Sequence, residues 1–186
     1  HFNNPGITVN DAFKPVTRYF DRITRPEQII QSFPTAVQTM LDPADCGPAC
    51  IALSQDVQGQ TFDYPEDFFK EKIHTIRRPR PDEFQIKEAA QKIKSSKNPI
   101  IISGGGVFYS DAMEELGNFA IKHNIPVTQT VMGYSTMKRD HSHYAGQIGG
   151  LGGKNTNSLA KKTDLAIAVG TKLADFTTGS WANFEN

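Results

Sequence analysis

Asn98-Pro99-Ile100-Ile101-Ile102-Ser103-Gly104-Gly105-Gly106-Val107 is a short apolar run that ends in three glycines. Consecutive isoleucines with no polar alternation suit a strand covered on both faces, as in a parallel sheet. Glycines at its end let the backbone turn sharply and present N–H groups to a ligand or to a neighbouring segment. With a helix expected to open at Ser110-Asp111, the stretch reads as a βα turn of the kind that binds nucleotides.

The residues around it extend the pattern. Asp82 with Gln85 resembles a capping box, and Phe84, Ile86, Ala89, Ala90 and Ile93 then form an apolar helical stripe. After the glycines, Met113, Leu116, Phe119 and Ala120 face inward on a helix near residues 110–123. Ile125 to Thr130 reads as a second strand, residues 146–153 as a Gly-rich loop, 156–162 as a helix, and Asp164 to Gly170 as a third buried strand. Strands alternating with helices predict an α/β fold, a parallel sheet flanked by helices, with right-handed crossovers.

Residues 82–186 are therefore one unit. Residues 63–81 read as a linker, opened by Asp63-Tyr64-Pro65 and closed by Arg77-Arg78-Pro79-Arg80-Pro81, where alternating prolines favour extended backbone. Residues 1–62 are expected to carry one helix and one strand. The helix starts at Pro26 with Thr24 as cap, buries Ile29, Ile30, Phe33, Val37, Met40 and Leu41, and is kinked at Pro34. The strand is Ala49 to Leu53.

Composition narrows the function. Lys plus Arg equals Asp plus Glu at 20 each, so no basic field recruits nucleic acid. Mean hydropathy is −0.44, and no apolar run is long enough to span a bilayer. Cys46 and Cys50 are too few for a disulfide framework and suit reduced thiols in a cytoplasmic protein. A start at His1-Phe2-Asn3, without Met, suggests a piece of a longer protein, and the chain is expected to stop one strand short after Glu185-Asn186.

The glycine turn departs from known phosphate motifs. In a G-x-G-x-x-G fingerprint the third glycine position here is Tyr109, and the following strand ends in Thr130 where a ribose-binding acid is required. No Gly-Lys-Ser/Thr follows, which excludes a P-loop. Gly170-Thr171-Lys172 supplies a second glycine turn on the same edge of the sheet, outside the strand ends where α/β sheets bind ligands. Tight turns and close packing account for the same glycines equally. His141-Ser142-His143 has no third metal ligand nearby, and no Ser-His-Asp or Cys-His arrangement can be assigned; Trp181 and Phe184 suit an interface.

Pro99 to Val107, Asn124 to Thr130, Asp140 to Gly146 and Thr163 to Lys172, in this order, resemble the central, Rossmann-like domain of thiamine-diphosphate enzymes related to acetohydroxyacid synthase. Gly47-Pro48 through Val57 resembles the end of that family's pyrimidine-binding domain, with Ser54 where proline is usual. Val9 to Tyr19, Asp21 to Gln28, Leu41 to Asp45, Gln55 to Gly59 and Asp175 to Gly179 are similar to a branch that opens a cyclic diketone. For a longer parent protein the resemblance implies thiamine diphosphate with Mg2+, and hydrolytic C–C cleavage of trihydroxycyclohexane-1,2-dione in myo-inositol breakdown. The cofactor acts there as electron sink.

The resemblance also implies that the residues activating the cofactor and holding its metal lie outside this chain. No catalytic or metal-ligating residue is therefore assigned, and the piece is expected to be an inactive scaffold, assembled as a homo-oligomer near an exposed sheet edge around Trp181. Some relatives hold FAD or ADP in the central domain. The matching positions are Gly104, Gly105, Gly106, Thr130-Val131, Gly150-Leu151, Gly170 and Lys172. FAD-binding relatives commonly have Met-His at Gly150-Leu151, Arg at Lys172 and Asp at Ala174, so a firmly bound cofactor is not expected. An acetolactate synthase-like, nucleotide-binding domain is the alternative. Sirtuin-type deacylases need a Gln-Asn-x-Asp strand end and usually four zinc-binding cysteines, where this chain has Thr128-Gln129-Thr130 and two cysteines.

Overall fold

The computed structural model describes residues 3–184, so the expectations on His1-Phe2 and Glu185-Asn186 lie outside the described residues. The chain divides into two compact units, residues 1–80 and 81–186.

In the first unit, β1 (Tyr19–Ile23) and β2 (Ala49–Leu53) pair in parallel, with Asp21 opposite Ile51. Between them runs α1 (Ile29–Leu41), and α2 (Gln55–Gln58) follows β2. The strand β1 is missing from the sequence reading because Tyr-Phe-Asp-Arg-Ile has neither an apolar run nor clean alternation. The buried stripe of α1 also differs from expectation. Ser32 and Ala36 are buried, whereas Phe33 and Met40 are 52% and 44% exposed. A hydrogen bond from the Ser32 hydroxyl to the Asp21 carboxylate sets this rotation. Thr24 does not cap the helix; its N–H and hydroxyl donate to Gln28 Oε1 at 3.0 and 3.4 Å. The helix continues through Pro34, which has no N–H to offer the Ile30 carbonyl.

The second unit opens with α3 (Glu83–Ser95), whose first N–H groups at Phe84 and Gln85 are accepted by Asp82 Oδ1 at 2.8 and 3.4 Å. Its expected stripe is largely uncovered: Phe84 is 73% and Ile86 50% exposed, and only Ala90 and Ile93 are half-buried. Next come β3 (Pro99–Ser103), α4 (Gly105–Tyr109), α5 (Met113–His123), β4 (Val127–Gln129), β5 (Tyr144–Gln147), α6 (Lys154–Lys162), β6 (Leu165–Val169) and α7 (Asp175–Thr178). Four strands form an all-parallel sheet in the order β5-β4-β3-β6.

Central position explains the Ile run. Ile100, Ile101 and Ile102 of β3 are each at most 1% exposed, and each contributes about 1.5–3 kcal/mol by leaving water. Pleating sends Ile101 to one face, where it packs with Leu116 and Ala120 of α5, and Ile102 to the other, with Ala160 of α6. The strand β6 is an outer strand and only half-buried, not fully buried as its apolar letters suggest. The helix expected from Ser110 starts at once in the glycines as α4, breaks at Asp111 (φ 54°) and resumes as α5. The strand β5, read from sequence as loop, carries a register shift opposite Val127/Thr128, with Gly146 at φ 99°.

At the base of the sheet Asp164 accepts hydrogen bonds from the Ser96 hydroxyl and from the N–H groups of Lys97 and Asn98, the latter at 2.7 and 2.9 Å. These bonds, led by Ser96, hold its carboxyl at about 2, below the ordinary 3.8. A depressed folded-state value contributes stability above the ordinary pKa and loses it as pH falls through the folded one. Asp164→Asn should therefore be less stable than the parent chain at pH 7, with the gap closing as pH falls from about 4 to about 2. Unfolding curves taken across that window check this; a gap independent of pH would disprove it.

Candidate functional site

The carboxyl ends of the four strands bring the two glycine turns together. Gly104 N–H donates to Val169 O at 2.9 Å, and Gly106 N–H to Gly170 O at 2.8 Å. A Cβ on Gly104 would lie 2.4 Å from Thr171 Cβ and 2.5 Å from Gly170 O, and one on Gly106 would lie 2.6 Å from Gly170 Cα. Gly170 itself has φ 56°, where only glycine is unstrained. Two of the three N–H groups in the Gly104–Gly106 turn are thus consumed by the neighbouring strand end. The glycines are small because two backbones cross there.

The other sequence-derived positions fall around this crossing. Thr130 is 3% exposed; its N–H donates to Ser103 O at 2.9 Å, and its hydroxyl accepts from Gly133 N–H at 3.0 Å. Gly105 faces the Met132 carbonyl, 3.0 Å from where its Cβ would be. Gly150 N–H donates to Phe176 O at 2.8 Å, so the segment after β6 reaches across to the loop after β5. Leu151 and Lys172 are exposed. The geometry joins Gly104, Gly106, Thr130 and Gly170 in one hydrogen-bonded knot and leaves Lys172 outside it.

Sequence reasoning missed the polar residues that secure the knot. The Ser103 hydroxyl donates to Thr128 O at 3.1 Å and lies 2.7 Å from Thr136 Oγ1, which donates in turn to Gly133 O at 2.7 Å. Gln129, 1% exposed, donates to Met137 O at 2.8 Å. A Cβ on Gly133 would lie 2.2 Å from Ser103 O. Buried hydroxyls with partners cost little, whereas unpaired ones are expensive, so this network fixes the 130–137 loop on the strand ends. Its one sequence signal was the polar run Thr128-Gln129-Thr130 inside an otherwise apolar strand.

Roomier clefts lie elsewhere. One of about 790 Å3 separates α5 from residues 135–141, lined by Glu114, Asn118, Met137 and His141 among others. Another of about 730 Å3 lies in the first unit, around Tyr19, Asp21 and Arg25. His141 and His143 have ring centroids 5.9 Å apart and are used locally. His143 lies 2.9 Å from Ser142 Oγ and 3.0 Å from Asn124 Oδ1, and His141 Nδ1 accepts from His143 N–H at 3.2 Å. Among the described residues no group of three or more His, Cys, Asp or Glu is placed to hold a metal ion, and no helix is long and apolar enough to cross a membrane. At the glycine turn, the Gly104 and Gly106 amides are engaged by the Val169 and Gly170 carbonyls.

Comparison with known proteins agrees with this architecture. The family model described as thiamine pyrophosphate enzyme, central domain, matches residues 86–186. A protein of Clostridium perfringens (strain 13 / Type A) named 3D-(3,5/4)-trihydroxycyclohexane-1,2-dione hydrolase is 50% identical over 98% of this chain, which covers 29% of that relative. Its namesake in Bacillus velezensis is 46% identical over 96% of this chain and 28% of the relative. The crystal structure of benzoylformate decarboxylase from Polynucleobacter necessarius superposes with a TM-score of 0.71 at 25% identity, over 91% of this chain and 32% of that one. The chain thus spans less than a third of the curated relatives it matches. With its α/β sheet and the central-domain match over more than half its length, the chain belongs to the thiamine pyrophosphate enzyme family.

Proposed function

We propose that residues 1–186 are the end of the pyrimidine-binding domain, a linker at 63–81 and the central domain (82–186) of a thiamine-diphosphate- and Mg2+-dependent hydrolase. Its reaction is cleavage of a C–C bond that opens the ring of trihydroxycyclohexane-1,2-dione in myo-inositol degradation, in the cytoplasm and as a homo-oligomer. The observation that carries this reading is 50% identity, sustained over 98% of the chain, to a relative of that name. Identity extends through the first unit as well as the central domain, beyond what the widely shared central-domain motifs alone would account for.

Within that enzyme this piece is scaffold. Its own residues hold backbone against backbone at the strand ends and bury a hydroxyl network beneath, a structure that fixes loops without moving protons. The crossing at Gly104, Gly106 and Gly170 also weighs against the nucleotide-binding alternative, because two of the three amides that would cradle phosphate already donate to Val169 and Gly170 carbonyls. Denatured protein should release neither FAD nor ADP.

The test is consumption of the dione by the full-length parent, with and without thiamine diphosphate and Mg2+, beside the 186-residue chain. Turnover should occur only with parent and cofactor together. Activity of the short chain, or cofactor-independent activity of the parent, would overturn the assignment. An inert parent would move the substrate to another 2-oxo acid or diketone.

A further inference from the structure

Both ring nitrogens of His141 are seated. On one side Nδ1 accepts the His143 N–H at 3.2 Å. On the other, Nε2 lies against α5 at Gly117, where a Cβ would come within 3.3 Å of it. Glycine is disfavoured inside a helix, and Gly117 is buried there, so the bare helix backbone makes room for the ring. A backbone N–H can only donate. Nδ1 is therefore the unprotonated nitrogen of a neutral ring, and Nε2 carries the hydrogen.

The turn closed by this bond leads into β5. His141 N–H donates to Lys138 O at 3.1 Å, Tyr144 N–H to His141 O at 2.9 Å, and Val127 N–H to His143 O at 2.9 Å. The strand it opens is an outer one, four residues long and with a register shift, so the turn carries much of the hold on its entry.

The two histidines differ in what a proton does to them. His143 lies against Ser142 Oγ and Asn124 Oδ1, and both oxygens accept hydrogen bonds, so its contacts survive on an imidazolium. Protonated His141 would instead set an N–H against the His143 N–H. Its charged surroundings favour leaving. Asp111, Glu114 and Glu115 line the adjoining cleft from α5 and the turn before it, and Lys138 lines it from the loop. Arg139, Asp140 and His143 share that loop, with Arg139 Nη2 donating to the Tyr134 hydroxyl at 3.2 Å. Three carboxylates against one ammonium at the cleft attract an imidazolium that the His143 N–H repels.

We propose that His141 is an acid-sensitive clasp on β5. Neutral, it closes the 141–143 turn through Nδ1; protonated, it turns away toward the cleft, and the entry to the outer strand loosens. Histidine changes charge in the physiological range, so ordinary acidification operates the clasp.

The test is exchange of the His143 amide in the 186-residue chain, followed by NMR and divided at each pH by the rate for unstructured peptide. Protection should fall by roughly tenfold or more from about pH 8 to about pH 5. The Ile101 amide, which donates to Pro126 O at 2.9 Å in the central strand, should keep its protection. His141→Asn places an amide oxygen near the position of Nδ1, where it accepts from the N–H two residues on and cannot be protonated. Its His143 amide should stay protected at both pH values. His141→Phe keeps a ring against Gly117 without an acceptor, and should be unprotected at both. Equal protection of the parent chain at the two pH values would overturn the proposal. So would an acid loss in His141→Asn as large as the parent's, or parent-like protection in His141→Phe at the higher pH. If His141→Phe does not fold, the parent chain and His141→Asn decide between them.

Discussion

Gly104→Ala is expected to destabilise the second unit by about 3 kcal/mol and to lower its melting temperature by roughly 12 °C or more. The added methyl would sit 2.4 Å from Thr171 Cβ, 2.5 Å from Gly170 O and 2.7 Å from Thr171 Cα. Two of these three atoms are backbone and the third is the first atom of a side chain, so no rotamer change relieves the clash. Relief would require β3 and the residues after β6 to separate. Gly104 N–H to Val169 O and Gly106 N–H to Gly170 O oppose that separation, and both would lengthen. Gly150→Ala is the matched control. Its new methyl would meet the Phe176 ring at 3.6 Å, an ordinary contact, and its stability should change by about 0.5 kcal/mol or less. Thermal unfolding of the three chains decides the matter, and equal melting temperatures for Gly104→Ala and the parent chain would refute the packing role. A ligand-cradling glycine would behave differently, leaving a folded chain with weakened binding.

That comparison also marks how far the sequence was legible. Ile100-Ile101-Ile102 announced β3 because a strand buried on both faces must be apolar throughout; the apolar letters of Ala49 to Leu53 announced β2 as a buried strand, but it is only half-buried, with Leu53 49% exposed. Tyr19–Ile23 and Tyr144–Gln147 carry no such signal. The first lies in a two-stranded sheet, and the second is an outer strand with a register shift, so neither needs two apolar faces. Phe84 and Ile86 show the reverse failure: periodicity predicts an apolar stripe, yet nothing in the unit covers it. For the site, the glycine positions were readable and their purpose was not. Whether Gly104 N–H is free for phosphate or bonded to Val169 depends on a carbonyl 65 residues along the chain, and only the folded sheet places it there.

Asp21→Ala should cost the first unit about 2 kcal/mol, within the range for leaving buried donors without an acceptor. The Asp21 carboxylate gathers the Ser32 hydroxyl, Gln28 Nε2 at 3.1 and 3.3 Å and the Tyr19 hydroxyl at 3.4 Å. Through these it ties β1 to α1, and Ser32 is only 3% exposed, so water does not readily replace the lost acceptor. The unit has little else to absorb the loss, because its sheet is two strands and Ile23, Ala36 and Val57 are its only fully buried apolar residues among those described. Amide hydrogen exchange should therefore accelerate through β1 and α1 and stay unchanged in β3, β4 and β6, since every partner of Asp21 lies within residues 1–80. Removing both ends of the Asp21–Ser32 pair separates desolvation from simple loss of contact. Asp21→Ala/Ser32→Ala no longer buries an orphaned hydroxyl and should recover part of the stability that Asp21→Ala alone loses. If the double variant were less stable than the single one by the full cost of Ser32→Ala, the carboxylate would be a surface ornament of β1 rather than the anchor of α1.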